Sequence, residues 1–165
     1  AVERRGRLEH GVVYDPMRQE LYTASRGDGA QLDGKRIRVS RQATLEGALV
    51  GTGFPYRSNA QWTDSYMAML RVVMEQAAGI RRPGAAALDL AYVAAGRLDA
   101  FWEIGLNTWD TAAGILLITE AGGRVGTLTG GEYRQSGNIL AGTPKVFEAM
   151  IECLEPHIPP GLRET

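Results

Sequence analysis

Asp110 and Glu103 are the residues in this chain on which chemistry can be built. Asp110 stands in Asn107-Thr-Trp-Asp-Thr-Ala-Ala-Gly114, an acid at a helix entry followed by small residues at 112–114. Such a carboxylate has a structural use. It accepts hydrogen bonds from the free N–H groups of the first turn and suits the positive end of the helix. It also has a chemical use, because the small residues leave room above it for a ligand or a metal. Glu103 lies seven positions earlier, at the end of an expected strand, so the intervening turn would let the two acids flank one pocket. Taken alone, Glu103 reads equally well as a solvated strand end. A hard cation such as Mg²⁺ is held by one or two carboxylates plus waters and substrate phosphate oxygens. Two ions held in this way activate a water and stabilise the leaving oxygen in phosphate-ester hydrolysis.

Other chemistries find little support. His10 and His157 are the only histidines, and each is alone in its local sequence. That argues against a His-based zinc site and against a Ser-His-Asp triad. There is no Gly-x-Ser-x-Gly elbow and no Walker A loop. The pairs Gly27/Gly29 and Gly51/Gly53 are not dinucleotide fingerprints, because Leu32 and Tyr56 occupy the third glycine's place. Cys153 is the sole cysteine, so no internal disulfide can form, and it reads as a packed thiol on the last helix. A reducing, cytoplasmic location fits it. The net charge of −1 supplies no basic excess for binding nucleic-acid phosphates. No apolar run is long enough to cross a membrane as a helix, and the first residues are not a signal peptide. With 44% apolar and 22% charged residues, 165 residues suit one domain with a sizeable core.

The elements that must position the acids follow from periodicity and turn residues. Residues 2–39 read as a meander of short strands, with turn signals at Asp15-Pro16 and Asp33-Gly34. A short strand is expected over 48–52. A helix is expected over about 59–77, with a core-facing stripe of Trp62, Tyr66, Met69, Val73 and Ala77. A strand at 80–82 ends at Pro83-Gly84, a helix runs over 85–95, and a strand follows over 98–103. The Asp110 helix extends to Ala121 and stops at Gly122-Gly123. Strands follow at 124–128 and 138–141. Thr143-Pro144 opens the last helix, and Pro156, Pro159 and Pro160 end it before a frayed tail. Strands alternate with helices only in the second half, which predicts a layered α/β sandwich with a mixed sheet. The most linker-like stretch is 53–59, and no domain boundary is placed there. Asp89 and Asp99 read as surface or capping acids.

Several motifs together carry a resemblance. They are Val12-Val-Tyr-Asp-Pro-Met-Arg18, Thr52-Gly-Phe-Pro-Tyr56, Arg81-Arg-Pro-Gly-Ala-Ala-Ala-Leu-Asp-Leu90, Ala100-Phe-Trp-Glu through Trp109-Asp-Thr-Ala-Ala-Gly114, Thr119-Glu-Ala-Gly-Gly123 and Gly137-Asn-Ile-Leu-Ala-Gly142. In this order they resemble the inositol monophosphatase family, most closely its bacterial SuhB-like branch. The resemblance implies the layered fold of the sugar phosphatases and Mg²⁺-dependent hydrolysis of inositol monophosphate or a related sugar phosphate. It implies that Asp110 ligates a metal and contacts substrate hydroxyls, and that Glu103 contacts a hydroxyl of the ring. Gly84, Ala85 and Ala86 match a segment that lines the substrate pocket through its backbone, with Ala85 in place of the usual Thr or Ser. Arg81 and Arg82 match a basic pair, one member for substrate and one for a subunit interface. A homodimer is implied, and so is a transcription-machinery protein partner as a non-catalytic alternative.

The resemblance covers the C-terminal part of such an enzyme, with the strand meander at 1–52 and the α/β part at 53–165. The family's first metal site uses a Glu and an Asp-Pro-Leu/Ile-Asp-Gly-Thr motif that lie upstream of the matched region and do not occur here. The expectation is a chain that is incomplete and inactive alone, from a full-length protein that is a phosphomonoesterase.

Overall fold

The computed structural model describes residues 1–55 and 57–163. Tyr56, within the linker-like stretch, and the last two residues of the tail lie outside the described residues.

The meander is an antiparallel sheet of five strands in sequence order: β1 (Val2–Arg4), β2 (Arg7–Asp15), β3 (Glu20–Ser25), β4 (Gly29–Leu32) and β5 (Lys35–Ile37). Its turns are set by the expected residues. The Asp15 carboxylate accepts the Met17 and Arg18 N–H groups at 3.0 and 3.1 Å. Asp33 and Gly34 both take positive φ, 50° and 75°, as a two-residue hairpin turn requires. β2 alternates buried Gly11, Val13 and Asp15 with exposed His10, Val12 and Tyr14, so one face of the sheet is packed.

The second sheet holds β6 (Leu49–Thr52), β7 (Gly79–Arg81), β8 (Ala100–Glu103), β9 (Arg124–Gly126) and β10 (Ile139–Gly142), in the order β7-β6-β8-β10-β9. β6 is parallel to both neighbours, while β10 is antiparallel to β8 and β9. There are thus two sheets, one antiparallel and one mixed, where the sequence suggested the mixed one.

Helices α2 (Ala86–Ala94) and α3 (Thr108–Glu120) lie between the sheets. Helices α1 (Thr63–Gln76) and α4 (Pro144–Leu154) cover the other face of the mixed sheet. A 3₁₀ turn at Arg57–Trp62 precedes α1, and the chain closes with a 3₁₀ turn at Glu155–His157 and α5 (Pro160–Arg163). β8 separates the two cores by alternation. Ala100 and Trp102 pack toward α1 and α4, and Phe101 packs toward α2 and α3. Glu103 continues the Phe101 face.

Two glycines let α3 fit between its neighbours. A Cβ on Gly11 of β2 would lie 3.0 Å from the Ala113 carbonyl oxygen, and one on Gly114 would lie 2.5 Å from the Leu90 Cβ. In a helix interior, Gly→Ala gains about 1 kcal/mol of propensity. Overpacking costs about 1–3 kcal/mol, and atoms next to the backbone cannot rotate out of the way. Packing wins at this site. Gly114→Ala is therefore expected to lower the denaturant midpoint, and a rise would show that α2 and α3 separate freely. The C-terminal end of α3 is tied by Glu120, whose carboxylate accepts the Gly27 and Gly29 N–H groups, each at 2.9 Å.

Candidate active site

β8, the central strand of the mixed sheet, carries Glu103 at its C-terminal end, and the turn after it leads into α3. Helix α3 begins at Thr108, so Asp110 is its third residue rather than its first. The Asp110 carboxylate accepts the Asn107 N–H at 2.9 Å through one oxygen. Its structural use is therefore real. The other oxygen makes no hydrogen bond with any described residue. Both acids line one cavity of about 230 Å³, together with Ser58, Asn59, Gly105 and Asn107. Trp109, between Asp110 and the turn, is 77% exposed and does not line it.

Absent side chains shape this cavity. The Glu103 carboxyl lies over Gly53, where a Cβ would come within 2.1 Å of the carboxyl carbon. The Asn59 amide lies over Gly105 in the same way, at 1.9 Å, and Gly105 has φ +80°. The Gly105 N–H is fixed by the Asn138 Oδ1 at 3.1 Å. Glycine is required at 105 both by its backbone and by its neighbour.

The electrostatics are unusual. Burial pushes the Glu103 carboxyl up to about 7; the nearby charge of Asp89 and, more weakly, that of Asp110 add to this, while Arg82 opposes them. Asp89, in the first turn of α2, is fully buried, and among the described residues neither of its oxygens meets a hydrogen-bond partner in good geometry. Burial raises it to about 6, against the Ala85 backbone and Arg82. The expectation of a surface acid is thus wrong for Asp89, which is fully buried in the first turn of α2. Asp99 is structural, its carboxylate accepting the Ser40 hydroxyl and, at 2.6 Å, the Leu49 N–H.

The remaining expected residues stand apart from the cavity. Gly84, with φ +88°, and Ala85 form the turn into α2, and Ala86 is its first residue; none of the three lines the space shared by Glu103 and Asp110. Ala85 occupies the capping position without a side-chain hydrogen bond. The Arg81 guanidinium is exposed and donates to its neighbour's carbonyl, Ile80, at 2.9 Å. Arg82 is the member of the basic pair that acts on Glu103 and Asp89, and its guanidinium sits 5.0 Å above the Phe54 ring. Asn59 and Ser58 are polar cavity residues that sequence reasoning did not select, and neither belongs to a periodic or spaced motif that would have singled it out. Asp89 was read as a surface or capping acid, and Arg82 as one member of the matched basic pair.

The family profile for inositol monophosphatases matches residues 1–158. The chain belongs to the inositol monophosphatase family. Nus factor SuhB of Pseudomonas aeruginosa is 58% identical over 165 residues, which is 99% of this chain and 61% of that protein. An inositol-1-monophosphatase of Mesorhizobium japonicum is 44% identical over 94% of this chain and 58% of its own length. The crystal structure of the extragenic suppressor protein SuhB from Bartonella henselae superposes with a TM-score of 0.90. It is 44% identical, with 94% of this chain and 60% of that one covered. The chain thus spans about three-fifths of the length of the relatives it matches. As an inositol monophosphatase family member it shows the layered α/β fold, with the Trp-Asp segment opening α3 beside Glu103. No helix among the described residues is long and apolar enough to cross a membrane.

Proposed function

We propose that the full-length protein is a Mg²⁺-dependent phosphomonoesterase acting on inositol monophosphate or a related sugar phosphate, and that this chain contributes the Asp110–Glu103 side of its active site. The observation that carries this reading is the convergence of Asp110 and Glu103 on one cavity within a chain of this family. The donors there are hard oxygens, which suit Mg²⁺ rather than a soft transition metal. Among the described residues no group of three Asp, Glu, His or Cys side chains is placed to hold an ion unaided. That agrees with a cation held by Asp110 together with waters, substrate oxygens and the upstream carboxylates that the resemblance implies. When bound, the metal supplies charge to activate water and stabilise the leaving oxygen. The chain's own residues do the rest. Asp110 holds the cation side of the pocket, Glu103 meets a ring hydroxyl, and the Gly84–Ala86 backbone is assigned to the substrate from the family resemblance. Arg81 is assigned to the substrate side and the dimer is taken over from the family, both as parts of this proposal.

The test is phosphate release from myo-inositol 1-phosphate by the full-length protein. Turnover is expected with Mg²⁺ and is expected to vanish on chelation and return on adding Mg²⁺ back. Turnover that persists in chelator would rule the reading out.

A second reading is favoured by the name of the most similar relative reported above, a Nus factor. In it the protein serves as a non-catalytic partner of the transcription machinery. The two separate when Asp110 is replaced, as argued in the Discussion.

A further inference from the structure

Asp89 is a buried acid that this fold does not neutralise. Among the described residues, the buried side-chain polar atoms without a hydrogen-bond partner in good geometry are its two carboxylate oxygens and the indole N–H of Trp102. A carboxylate in that position is costly to keep, and the positive end of α2 compensates only part of it. Local rules broken in this way point to function. The groups that share its field can be named. Glu103 of β8 feels it directly, and Arg82, in the turn before α2, acts on both. Asp110 of α3 acts on Glu103 from the other side of the cavity, and Tyr66 of α1 feels Glu103 and Arg82. Two acids, Asp89 and Glu103, therefore share the field of one guanidinium, and no ion pair joins Arg82 to either of them among the described residues.

We propose that Asp89 is a positioning residue for the divalent cation at Asp110: its unneutralised charge, set behind Glu103, loads the pocket with a repulsion that cation binding relieves. The proposal rests on the metal-dependent reading above and assigns a task to a residue outside the cavity wall. It makes two effects of one substitution run in opposite directions. Without Asp89's charge, the metal-free protein gains stability and the cation loses attraction. A buried Asp89 without a link to the cation would show the gain in stability alone and leave cation affinity unchanged.

The experiment uses the full-length protein and Mg²⁺ alone as the probe. Binding is read by isothermal titration calorimetry, and melting is followed with and without Mg²⁺, at about pH 8, where ordinary and raised carboxyls are both largely ionised. Asp89→Asn, which keeps the side chain's shape, is expected to raise the metal-free melting temperature. It should also weaken Mg²⁺ by about three- to tenfold and shrink the rise in melting temperature that Mg²⁺ produces. Arg82→Gln removes the countercharge from an exposed position and should shift all three readings the other way. It keeps the proposal testable if the buried substitution disturbs folding. An Asp89→Asn protein that melts lower or binds Mg²⁺ unchanged overturns the proposal, and so does an Arg82→Gln protein that binds Mg²⁺ more weakly. An unsubstituted protein that does not bind Mg²⁺ overturns the metal-dependent reading itself, and this proposal falls with it.

Discussion

Asp110→Asn in the full-length protein is expected to cut phosphate release from an inositol monophosphate by two orders of magnitude or more, about 3 kcal/mol in activation free energy. The fold should barely notice. The carboxylate's structural contact is one hydrogen bond accepted from the Asn107 N–H, and an asparagine carbonyl oxygen accepts the same bond at the same place. Surface changes of this kind usually stay within about 0.5 kcal/mol of stability. What the amide cannot supply is the charge that holds a hard cation. The measurement pairs steady-state turnover with thermal melting. Near-normal turnover with an unchanged melt would leave Asp110 as a helix-start acid and nothing more. The same variant separates the two functional readings. A transcription phenotype that survives complete loss of turnover identifies binding as the selected role, and one that disappears ties it to the pocket.

How much of this was legible beforehand depends on whether the signal was local. Period and punctuation located the strands and helices, because amphipathic spacing and turn residues act within a few positions. Thr143, for instance, accepts the Val146 N–H at 3.2 Å with Pro144 as the first helical residue, as its sequence suggests. The pairing of Glu103 with Asp110 was also legible, since a strand end and a helix start joined by a short turn must lie near each other. The split into two sheets was not, because strand partnership is a non-local choice. Asp89 was misread for a related reason. Flanked by Leu88 and Leu90 in an alanine-rich helix, it carries no local mark of burial. The charges that share its field are Glu103 of β8 and Arg82, and neither is its neighbour in sequence. Asn59 enters the cavity from a 3₁₀ turn whose residues follow no period at all.

The buried acids also fix how stability responds to pH, in a direction opposite to that of an ordinary ion-paired carboxylate. Asp89 rises from 3.8 to about 6 and Glu103 from 4.5 to about 7 on folding. Between those limits the folded chain binds more protons than the unfolded one, so stability falls as pH rises and levels off once both groups are ionised. Each pKa unit is worth about 1.4 kcal/mol. Discounted for solvent at the cavity mouth, the two groups together amount to roughly 2–4 kcal/mol. Glu20 works the other way. Arg97, held at 2.6 Å, and the Tyr22 hydroxyl bring it down to about 2. Its contribution is present above its ordinary pKa and is lost as pH falls toward about 2. Metal-free protein should accordingly melt highest near pH 5 and lose several degrees by pH 8. Asp89→Asn combined with Glu103→Gln should flatten the neutral limb and leave the acid limb in place. A melting temperature that climbs from pH 5 to pH 8 in the unsubstituted protein would mean that these two acids fold ionised and paired. It would also remove the repulsion on which the role of Asp89 depends.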